Sequence, residues 1–543
     1  MRDEERDRRV RPGGPRLALG ALSGALAGFT ALAVAEPVAA WVRPQSGPVI
    51  VVGGASIDAT PAAVKDWAIR HFGTDDKLVL QLGILAVLTL LALALGALAV
   101  RWRRVGAAGV LLFGVVGAAA AAGRPDSTGV ADTLPSVVGA LAGALLLYVL
   151  TGRLTAAGRP TTPGNGTVPG EPGAGLPGSG GWDRRGFVLA ATSAAAASAV
   201  VGAAGRSLNA SRGQNAVASR AEVVLPRPGS PAQPVPGRAA LRVPGISPFT
   251  TPNSGFYRVD TALVVPEVDA TTWRLRIHGK GMRRTATYSF DDLLGRELIE
   301  RDITLTCVSN EVGGPYVGNA RWTGVRLADL LAECGVRPPS RGGPADQLVA
   351  RSVDGMTIGS PVEDVMDGRD SLLALGMNGE PLPFEHGFPL RMVVPGLYGF
   401  VSACKWIEDI ELTTFDAYDP YWVRRGWARR APVKTQSRID TPKPFARPKA
   451  GTVMVAGVAW AQHRGIDKVE VRVDDGPWQE AHLAAEDTRD TWRQWSLPWQ
   501  AIPGSHALTV RATDRTGTVQ TDRRTRTIPD GAGGWHSVVV TVD

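Results

Sequence analysis

The stretch Ile303–Gly314 reads Ile-Thr-Leu-Thr-Cys-Val-Ser-Asn-Glu-Val-Gly-Gly, and its cysteine, Cys307, is the most informative residue of the chain. The β-branched residues before the cysteine predict a strand, and the polar residues and glycines after it predict a loop. A thiol at a strand end, facing a loop that lets the backbone approach a ligand, suits a soft metal or nucleophilic attack. The alternative is a small buried hydrophobic side chain, so the question is whether other polar residues gather around Cys307.

The chain contains three cysteines in 543 residues. An odd count leaves at least one thiol without an intramolecular partner, so the fold is not built on a disulfide framework. Cys334 continues a helical spacing of leucines that starts at Leu327, and it is followed by Gly335, a residue suited to end a helix. We therefore expect Cys334 in a helix core. The neighbours of the third cysteine, Cys404, do not argue for a ligand.

The length predicts several domains, and the composition changes along the chain. Residues up to about 210 are dominated by Ala, Leu, Gly and Val, whereas residues beyond about 220 have the variety of a globular protein. The net charge is +8, yet the arginines are spread along the chain or flank apolar segments, without a basic and aromatic stripe. This distribution argues against nucleic-acid binding.

Four apolar stretches in the N-terminal part are long enough, or nearly so, to cross a bilayer, which takes roughly 20 apolar residues. They are Leu17–Ala35, Leu78–Val100, Val105–Gly123 and Leu134–Leu150. A fifth stretch, Gly186–Gly205, is Ala-rich and only moderately hydrophobic. We therefore predict a four-span α-helical transmembrane region over residues 1–151 and a fifth apolar helix over residues 186–205.

The basic residues predict the orientation of these spans. Six arginines precede the first span, three more lie between the second and third, and Arg184 and Arg185 precede the fifth, while the other loops are nearly free of Lys and Arg or dilute in them. Cytoplasmic loops carry an excess of Lys and Arg, so the N-terminus is predicted to be cytoplasmic. Five spans then place the soluble half outside the cytoplasm, in a multi-pass protein of the cell membrane.

The residues around Arg184 and Arg185 also resemble a twin-arginine export signal. An aromatic residue, Phe187, follows the pair, and a weakly apolar run comes next. That export route carries proteins already folded around a cofactor, and the alternative is an ordinary positive-inside flank. Residues 152–185 are rich in Gly, Pro and Thr and predict a flexible linker.

The predicted spans have the character of an anchor. No Asp, Glu, Lys, Arg or His lies within the first four, which argues against an ion path or a proton relay. Without a histidine they cannot hold a haem between two imidazoles, and the chain has no Cys-x-x-Cys-His motif for covalent haem. We therefore expect an anchor and no haem.

Two folded domains are expected in the second half. Residues 220–430 mix strands and short helices, with an alternating strand at Trp273–Ile277 and a helix capped by Ser289. Residues 431–543 contain short alternating strands separated by turn signals such as Asp474–Gly476. Their spacing predicts an antiparallel β-sandwich of immunoglobulin type without the inter-sheet disulfide. The fold class is therefore multi-domain: a helical membrane region, an α+β domain and an immunoglobulin-like β-sandwich.

Four polar clusters of the α+β domain stand in loops rich in Gly and Pro. Besides the loop of Cys307 they are Asn253–Arg258, Asn378–Arg391 and Tyr398–Trp406. One thiol among Asn, His, Arg and Lys donors suits a metal together with a polyanionic organic cofactor. The thiolate binds the metal, and the cations and amides bind phosphate.

Each donor in these clusters has a structural alternative. Asn253 suits a turn, and His386 suits a surface site with its own hydrogen bonds. Arg391 suits an ion pair with a carboxylate, and Lys405 suits solvent. A structure decides between these readings by burial and by partners.

At these residues the chain resembles the sulfite oxidase family of molybdopterin enzymes. The most specific parts are Met377–Arg391, which reads Met-Asn-Gly-x-Pro-Leu-Pro-x-x-His-Gly-Phe-Pro-x-Arg, and Lys405–Trp406 after the Gly-rich turn. The resemblance covers roughly residues 243–521. It includes the β-sandwich, which looks like the family's dimerisation domain and so implies a homodimer.

The resemblance implies that residues 220–430 hold molybdenum through one pterin dithiolene, oxo or water ligands, and Cys307. Arg321 matches an arginine that lines the family's oxyanion pocket, so Cys307 and Arg321 are the implied catalytic residues. The residues that match the family's cofactor-binding positions, together with Cys307, are Asn253, Phe256, Tyr257, Ser352, His386, Arg391, Ser402 and Lys405.

The implied activity is a two-electron transfer of an oxygen atom to or from a small substrate. Sulfite-oxidising members carry basic residues just after the cysteine, whereas this loop carries Glu311, and a like charge raises the cost of binding a dianion. Sulfite and a neutral oxide such as a sulfoxide or N-oxide both stay open. Without a haem motif, electrons are expected to pass through a separate partner, either a cytochrome or a membrane quinone system.

A hypothesis of a different class is a non-catalytic cell-surface binding protein with a degenerate cofactor fold. A degenerate member is expected to lose the cysteine or the His386 and Arg391 pair. This chain keeps all three residues, so the sequence favours the enzyme.

Overall fold

The computed structural model describes residues 14–60, 64, 76–124, 127, 129–155 and 184–543. The chain divides into two units. The first comprises residues up to Arg212 together with Ala262–Val264, and the second comprises Gly213–Thr261 and Val265–Asp543.

Long helices build the first unit. They are α1 (Gly14–Val42), α2 (Pro48–Ala59), α3 (Asp76–Arg101), α4 (Arg103–Ala122), α5 (Leu134–Thr155) and α6 (Arg184–Glu222), whose last turns belong to the second unit. Short 3-10 turns precede α2 at Pro44–Ser46 and α5 at Val130–Thr133. A buried carboxylate, Asp132, forms an ion pair with Arg43 at 2.8 Å in this unit.

Small residues let these helices approach closely. A side-chain carbon added to Gly24 of α1 would overlap the backbone of α3 at Ala92 and Gly96, and one added to Gly143 of α5 would lie 2.7 Å from the carbonyl oxygen of Ala27. Close backbone approach at small residues is the usual way in which helices pack without bulky side chains. The helix α1 therefore packs against both α3 and α5.

Five of the described helices are long and apolar enough to cross a membrane, and they coincide with the five predicted stretches. The helices extend beyond the apolar stretches, because a hydrophobicity pattern does not mark where a helix ends. Thus α1 reaches Val42 and includes Glu36, and α6 continues well beyond residue 205. The short helix α2, which starts with a proline at its first position, was not predicted because it is too short to span a bilayer.

The boundaries of the predicted linker over residues 152–185 need correction. Helix α5 continues to Thr155 and helix α6 begins at Arg184, so both ends of that segment are helical. The remainder, residues 156–183, lies outside the described residues.

A mixed five-stranded sheet forms one layer of the second unit. Its order is β2-β1-β10-β5-β6, with β1 and β10 parallel and the other pairs antiparallel. The strands are β1 (Arg274–Gly279), β2 (Ala286–Ser289), β5 (Gln347–Ser352), β6 (Thr357–Pro361) and β10 (Ile407–Thr413). The predicted strand around Trp273–Ile277 corresponds to β1.

An antiparallel sheet of order β3-β4-β7-β8, with β9 paired to β7, forms a second layer. Its strands are β3 (Ile299–Thr306), β4 (Val317–Arg326), β7 (Leu372–Met377), β8 (Glu380–Pro381) and β9 (Arg391–Val393). The short helices α7 (Phe290–Leu294), α8 (Leu327–Glu333), α9 (Val362–Met366) and α10 (Gly399–Ser402) connect the strands. As predicted, Ser289 caps α7, and Cys334 is buried at the end of α8.

Two antiparallel sheets follow in residues 436–542. One has the order β11-β12-β16-β15 and the other β14-β13-β17-β18. The strands are β11 (Gln436–Thr441), β12 (Gly451–Trp460), β13 (Ile466–Val473), β14 (Gln479–Glu480), β15 (His482–Leu483), β16 (Arg493–Ala501), β17 (Gly504–Asp514) and β18 (His536–Val542). Side chains of both sheets share one core, whose largest members are Trp495 and Trp499. The immunoglobulin-type topology stays a prediction.

One large core joins the two layers that precede these sheets, and it includes Trp460 at the end of β12 and Trp492 just before β16. The loops that carry the predicted polar clusters emerge from this core. The fold thereby presents Cys307 and its candidate partners on one continuous packed scaffold.

Candidate functional site

Cys307 lies directly after β3, where the register pairs Thr306 with Val317 of β4. Its N–H donates to the carbonyl oxygen of Tyr316 at 2.9 Å, and its own carbonyl accepts from the N–H of Asn310 at 3.0 Å. The strand and the loop therefore both fix the cysteine, as the sequence predicted. Only 8% of the residue is exposed.

The electrostatics of Cys307 favour the neutral thiol. Burial raises the pKa of the thiol, and the N–H of Ser309, 3.4 Å from the sulfur, opposes part of that rise. A thiolate therefore requires a cation to replace the proton, and a bound metal supplies one. Among the described residues no group of three His, Cys, Asp or Glu side chains could hold a metal, so side chains of these types in the described part do not complete a metal site at Cys307.

Aromatic residues surround the thiol. Burial raises the pKa of the Tyr257 hydroxyl, with the Cys307 charge adding to the rise and the Arg391 guanidinium opposing it, so Tyr257 lies near both. The ring of Tyr257 stacks on Phe256 at 5.1 Å between centroids. Burial also raises the pKa of Tyr398, which lies near Cys307 from the Gly-rich turn.

His386 is buried, in contrast to the surface alternative. Its Nε2 lies 2.9 Å from the carbonyl oxygen of Asn253, which only a protonated nitrogen can contact favourably. Burial and the charge of Arg391 lower the pKa of His386 to about 4, so the neutral ring keeps its proton on Nε2. Nδ1 then carries a lone pair, and it is buried with no hydrogen-bond partner among the described residues. It awaits a donor.

Arg391, at the start of β9, has 6% of its surface exposed. Its guanidinium donates to the carbonyl oxygen of His386 at 3.2 Å and lies over the ring of Trp322, 5.1 Å from the centroid. Within the described part of the chain no carboxylate pairs with it, and Nε has no hydrogen-bond partner. Burial lowers its pKa to about 10, and the charges of Tyr257, Cys404 and Asp260 oppose only part of that shift.

Lys405 is the second cation of the cluster. Its Nζ lies 2.9 Å from Asp260 and donates to the carbonyl oxygen of Glu385 at 3.1 Å. Its side chain is 9% exposed, so the solvated alternative does not hold. The β-carbons of Lys405 and Arg391 both lie close to Gly387, which brings the two cationic side chains to one loop.

The other predicted residues, Asn253, Ser352 and Ser402, have different environments. Asn253 accepts from the side-chain amide of Asn378 at 2.7 Å and so belongs to the His386 cluster. Ser352 is buried at the end of β5, opposite Ile407. The hydroxyl of Ser402 is buried and donates to the carbonyls of its own turn.

Arg321 is not brought to Cys307. It pairs with Asp302 across β3 and β4, four register positions from the strand end, which is roughly 13 Å along a strand. Its guanidinium contacts Asp302 at 2.6 Å and Glu300 at 3.7 Å. The structure therefore gives Arg321 two carboxylate partners of its own and offers no support for its place in an oxyanion pocket.

The sequence did not single out several residues that complete the cluster. Trp322 lies beneath Arg391, Asp260 neutralises Lys405, and Asn378, with φ of 53°, holds Asn253. Asn378 stands in the quoted motif Met377–Arg391, and Trp322 directly follows Arg321, a residue that the resemblance had singled out. Asp260 has no such signal.

The unpartnered atoms allow a test of cofactor fit. Buried polar atoms without partners are rare in folded proteins, and a site with two of them calls for a ligand. The ligand must offer an N–H or O–H donor to Nδ1 of His386 and anionic oxygens to Arg391. A pterin that carries a phosphate has both kinds of group, and its dithiolene sulfurs supply the missing metal ligands, so the residues fit a molybdopterin.

Comparisons with known proteins agree with this chemistry. Residues 262–422 match the family model "Oxidoreductase molybdopterin binding domain", and residues 431–543 match "Mo-co oxidoreductase dimerisation domain". An "Uncharacterized oxidoreductase YuiH" of Bacillus subtilis is 34% identical over 30% of this chain and 75% of its own length. The chain belongs to the sulfite oxidase family of molybdopterin oxidoreductases.

Other members of the sulfite oxidase family resemble part of the chain. Mitochondrial sulfite oxidase of Mus musculus is 31% identical over 54% of this chain and 62% of its own length. The chain thus spans about six tenths of the length of such relatives. The crystal structure of the sulfane dehydrogenase SoxCD from Paracoccus pantotrophus covers 55% of this chain and 84% of its own, with 25% identity and a TM-score of 0.47.

Proposed function

We propose that this chain is a membrane-anchored molybdenum–molybdopterin oxidoreductase. It transfers an oxygen atom to or from a small substrate outside the cytoplasm, in a two-electron reaction. The observation that carries the proposal is the buried guanidinium of Arg391, for which the described residues offer no carboxylate in direct contact. It stands beside Nδ1 of His386, also without a partner among those residues, and near Tyr257. Such a site is complete only with an anionic ligand.

Residue roles follow from the contacts. Cys307 is the proposed protein ligand of the metal, and Arg391 and Lys405 are the proposed cationic contacts of the cofactor. The neutral ring of His386 accepts a hydrogen bond from the pterin, and Asn253 fixes that ring through its carbonyl oxygen. The remaining proposed contacts, carried by sequence match, are Phe256, Tyr257, Ser352 and Ser402.

When bound, the molybdenum cofactor supplies a metal that changes oxidation state by two electrons. In the oxidising direction the substrate gains one oxygen atom from water and releases two electrons and two protons. In the reducing direction an oxide loses that atom as water and takes up two electrons and two protons. A separate electron carrier, a cytochrome or a membrane quinone system, must accept or supply the electrons.

The loop after Cys307 favours a neutral substrate. Glu311 is exposed there, and Arg321 is engaged by Asp302, so neither helps to bind a dianion. We therefore propose a small oxide such as a sulfoxide or an amine N-oxide. Sulfite is the second candidate, because mitochondrial sulfite oxidases are among the relatives.

Exposed apolar side chains support the membrane anchor. Leu82 and Leu90 of α3, Leu112 of α4 and Leu145 of α5 are each more than half exposed. In water such a face would be costly, whereas in a bilayer it meets lipid. Together with the arginine distribution, the five candidate spans support a cytoplasmic N-terminus and a second unit outside the cytoplasm. The twin-arginine-like pair Arg184 and Arg185 suits export of a domain already loaded with cofactor.

Metal and pterin analysis tests the enzyme proposal. The full chain, purified in detergent from a host that makes the cofactor, should contain one molybdenum and one pterin. Cys307→Ser should keep its fold and lose turnover with a panel of sulfite, dimethyl sulfoxide and trimethylamine N-oxide. The matched control is Cys334→Ser, a buried thiol in a helix core, which should keep both metal and turnover. Protein without molybdenum and pterin would instead support the non-catalytic binding protein.

Cysteine labelling tests the topology. The native cysteines are buried, so a thiol reagent that does not cross membranes reports on introduced sites. Phe445→Cys, at an 84% exposed position of the second unit, should react in intact cells. Trp102→Cys, between α3 and α4, should react only after lysis. The reverse pattern would place the second unit in the cytoplasm.

A further inference from the structure

The loop Val308–Gly314, here called the substrate-side loop, joins Cys307 to β4. Within the loop, the side-chain oxygen of Asn310 accepts a hydrogen bond from the N–H of Tyr316 at 2.7 Å. The end of the loop, Gly313 and Gly314, has a different environment. It contacts strands of the C-terminal sheets, which belong to the segment matched as a dimerisation domain.

Arg438 of β11 holds Gly314. Its Nη1 donates to the carbonyl oxygen of Gly314 at 2.7 Å. The same guanidinium is fixed by Asp440 at 2.7 Å and by the hydroxyl of Ser247 at 3.0 Å. Because Arg438 is 9% exposed and braced on two other sides, its contact with Gly314 has a defined direction.

His536, at the start of β18, holds Gly313. The N–H of Ile439 donates to Nδ1 of His536 at 3.0 Å, which fixes the orientation of the ring. The opposite edge of the ring lies against Gly313, where an added β-carbon would overlap Cδ2 and Nε2 and lie 3.0 Å from Cε1. Gly313 also has φ of +80°, a conformation that side chains other than glycine rarely adopt. The loop backbone and the ring therefore fit each other closely.

We propose that Arg438 and His536 are positioning residues that set the shape of the substrate-side loop. The C-terminal domain then has a role in substrate binding besides association of two copies. The inference rests on the proposed function, because it takes the loop after Cys307 to border the substrate. Both residues act through the backbone of Gly313 and Gly314, and not by direct contact with Cys307.

Amide hydrogen exchange tests the mechanical part without any substrate. In the full, cofactor-loaded chain, His536→Ala should raise the exchange rate of amides between residues 308 and 316 at least tenfold. The control is His506→Ala on β17 of the same sheet, a histidine that contacts Asp474 and Trp499 and should leave the loop unchanged. An unchanged loop in His536→Ala, or an equal change in both variants, would overturn the proposal.

A pair of substitutions tests whether ring and loop are coupled. Gly313→Ala adds a methyl group against the ring, so it should loosen the loop and raise KM about tenfold with a smaller change in kcat, measured with whichever of sulfite, dimethyl sulfoxide and trimethylamine N-oxide is turned over. In a His536→Ala background the overlap with the ring is gone and only the strain of the positive φ remains, so the further effect of Gly313→Ala should be smaller than in the wild-type background. Equal effects of Gly313→Ala in both backgrounds would refute the coupling.

The two proposals can fail separately. Molybdenum content should stay at the wild-type level in all these variants, because none of the residues contacts the proposed cofactor site. Protein that lacks molybdenum but shows the expected exchange pattern would contradict the proposed function alone. The positioning role would be contradicted by two results together. One is loss of molybdenum from His536→Ala. The other is amide exchange in the substrate-side loop that is as fast in Arg438→Lys as in Arg438→Ala.

Discussion

The guanidinium of Arg391 lies over the ring of Trp322, 5.1 Å from its centroid, and its Nε has no hydrogen-bond partner among the described residues. Lys405, the other cation of the site, has Asp260 at 2.9 Å. Of the two cations of this site, Lys405 therefore has a carboxylate in direct contact, whereas Arg391 is left to a ligand. This asymmetry distinguishes a binding site from a structural ion pair.

Substitution of Arg391 should have opposite effects in the two states of the protein. In chain made by a host without the cofactor, Arg391→Met should raise the free energy of unfolding by about 1–3 kcal/mol, because it removes a buried charge without a partner. In chain made with the cofactor it should abolish pterin retention. Chemical unfolding and pterin fluorescence measure the two effects. The control Arg369→Met removes a buried arginine that pairs with Asp364 and Asp367, and it should cost about 3 kcal/mol in both states.

Arg321 should matter for stability and not for cofactor binding. Arg321→Met leaves Asp302, which is 4% exposed, without its partner, so we expect a loss of about 2–4 kcal/mol of unfolding free energy. Molybdenum and pterin content per folded protein should stay unchanged. Loss of turnover at full metal content and with unchanged stability would restore Arg321 to the substrate pocket.

Asp487 should make the protein less stable as the pH rises. Burial and the charge of Asp302 raise the pKa of Asp487 from 3.8 to about 6. The folded state therefore holds a proton that the unfolded state has released between these values, so stability is lost as the pH rises from about 4 to about 6. Asp487→Asn should raise Tm at pH 7.5 and have little effect at pH 4. A stabilisation that is the same at both pH values would contradict this linkage.

His536 should make the protein less stable in acid. Burial and the charges of Arg438 and Arg524 lower its pKa from 6.5 to about 4, with Asp440 opposing them. The unfolded state binds the proton first, so stability is complete above about pH 6.5 and is lost as the pH falls towards 4. The loss should reach about 2–3 kcal/mol.

Unfolding by guanidinium at pH 7.5 and pH 4.5 measures the contribution of His536 to the pH dependence of the unfolding free energy. His536→Asn should reduce the difference in unfolding free energy between the two pH values. The buried His386 contributes in the same window, so the comparison must be between wild type and variant, and not between pH values alone. An unchanged pH dependence in the variant would show that His536 is already protonated in the folded state or solvated.

Much of the fold follows from local patterns in the sequence. The strands of the C-terminal sheets alternate apolar and polar residues, and the helix after Ser289 carries its own cap, so both were predictable. The ends of the long helices were not, because hydrophobicity marks where a helix meets lipid and does not mark where it stops. The continuation of α6 to Glu222 mixes alanines and arginines, which favour a helix, with serines and asparagines, so its hydrophobicity does not report its end.

The site was predictable where function and motif coincide. Cys307, His386, Arg391 and Lys405 stand in loops or at strand ends, and the structure brings the last three together around Gly387. Arg321 was named by resemblance as well, but its distance from Cys307 depends on its register position in β4, which the resemblance does not encode. The contacts of Gly313 with His536 join residues more than 200 positions apart, and no local pattern reports such a pairing.

The uncompensated charge of Arg391 has a consequence for the amount of protein in a cell. A chain that has not received its cofactor keeps that charge buried and unsatisfied, so it unfolds more often and is exposed more often to proteases. Binding of the cofactor removes this penalty. Cells starved of molybdenum should therefore contain less of this protein at equal rates of synthesis, which would make its abundance a measure of the supply of the metal.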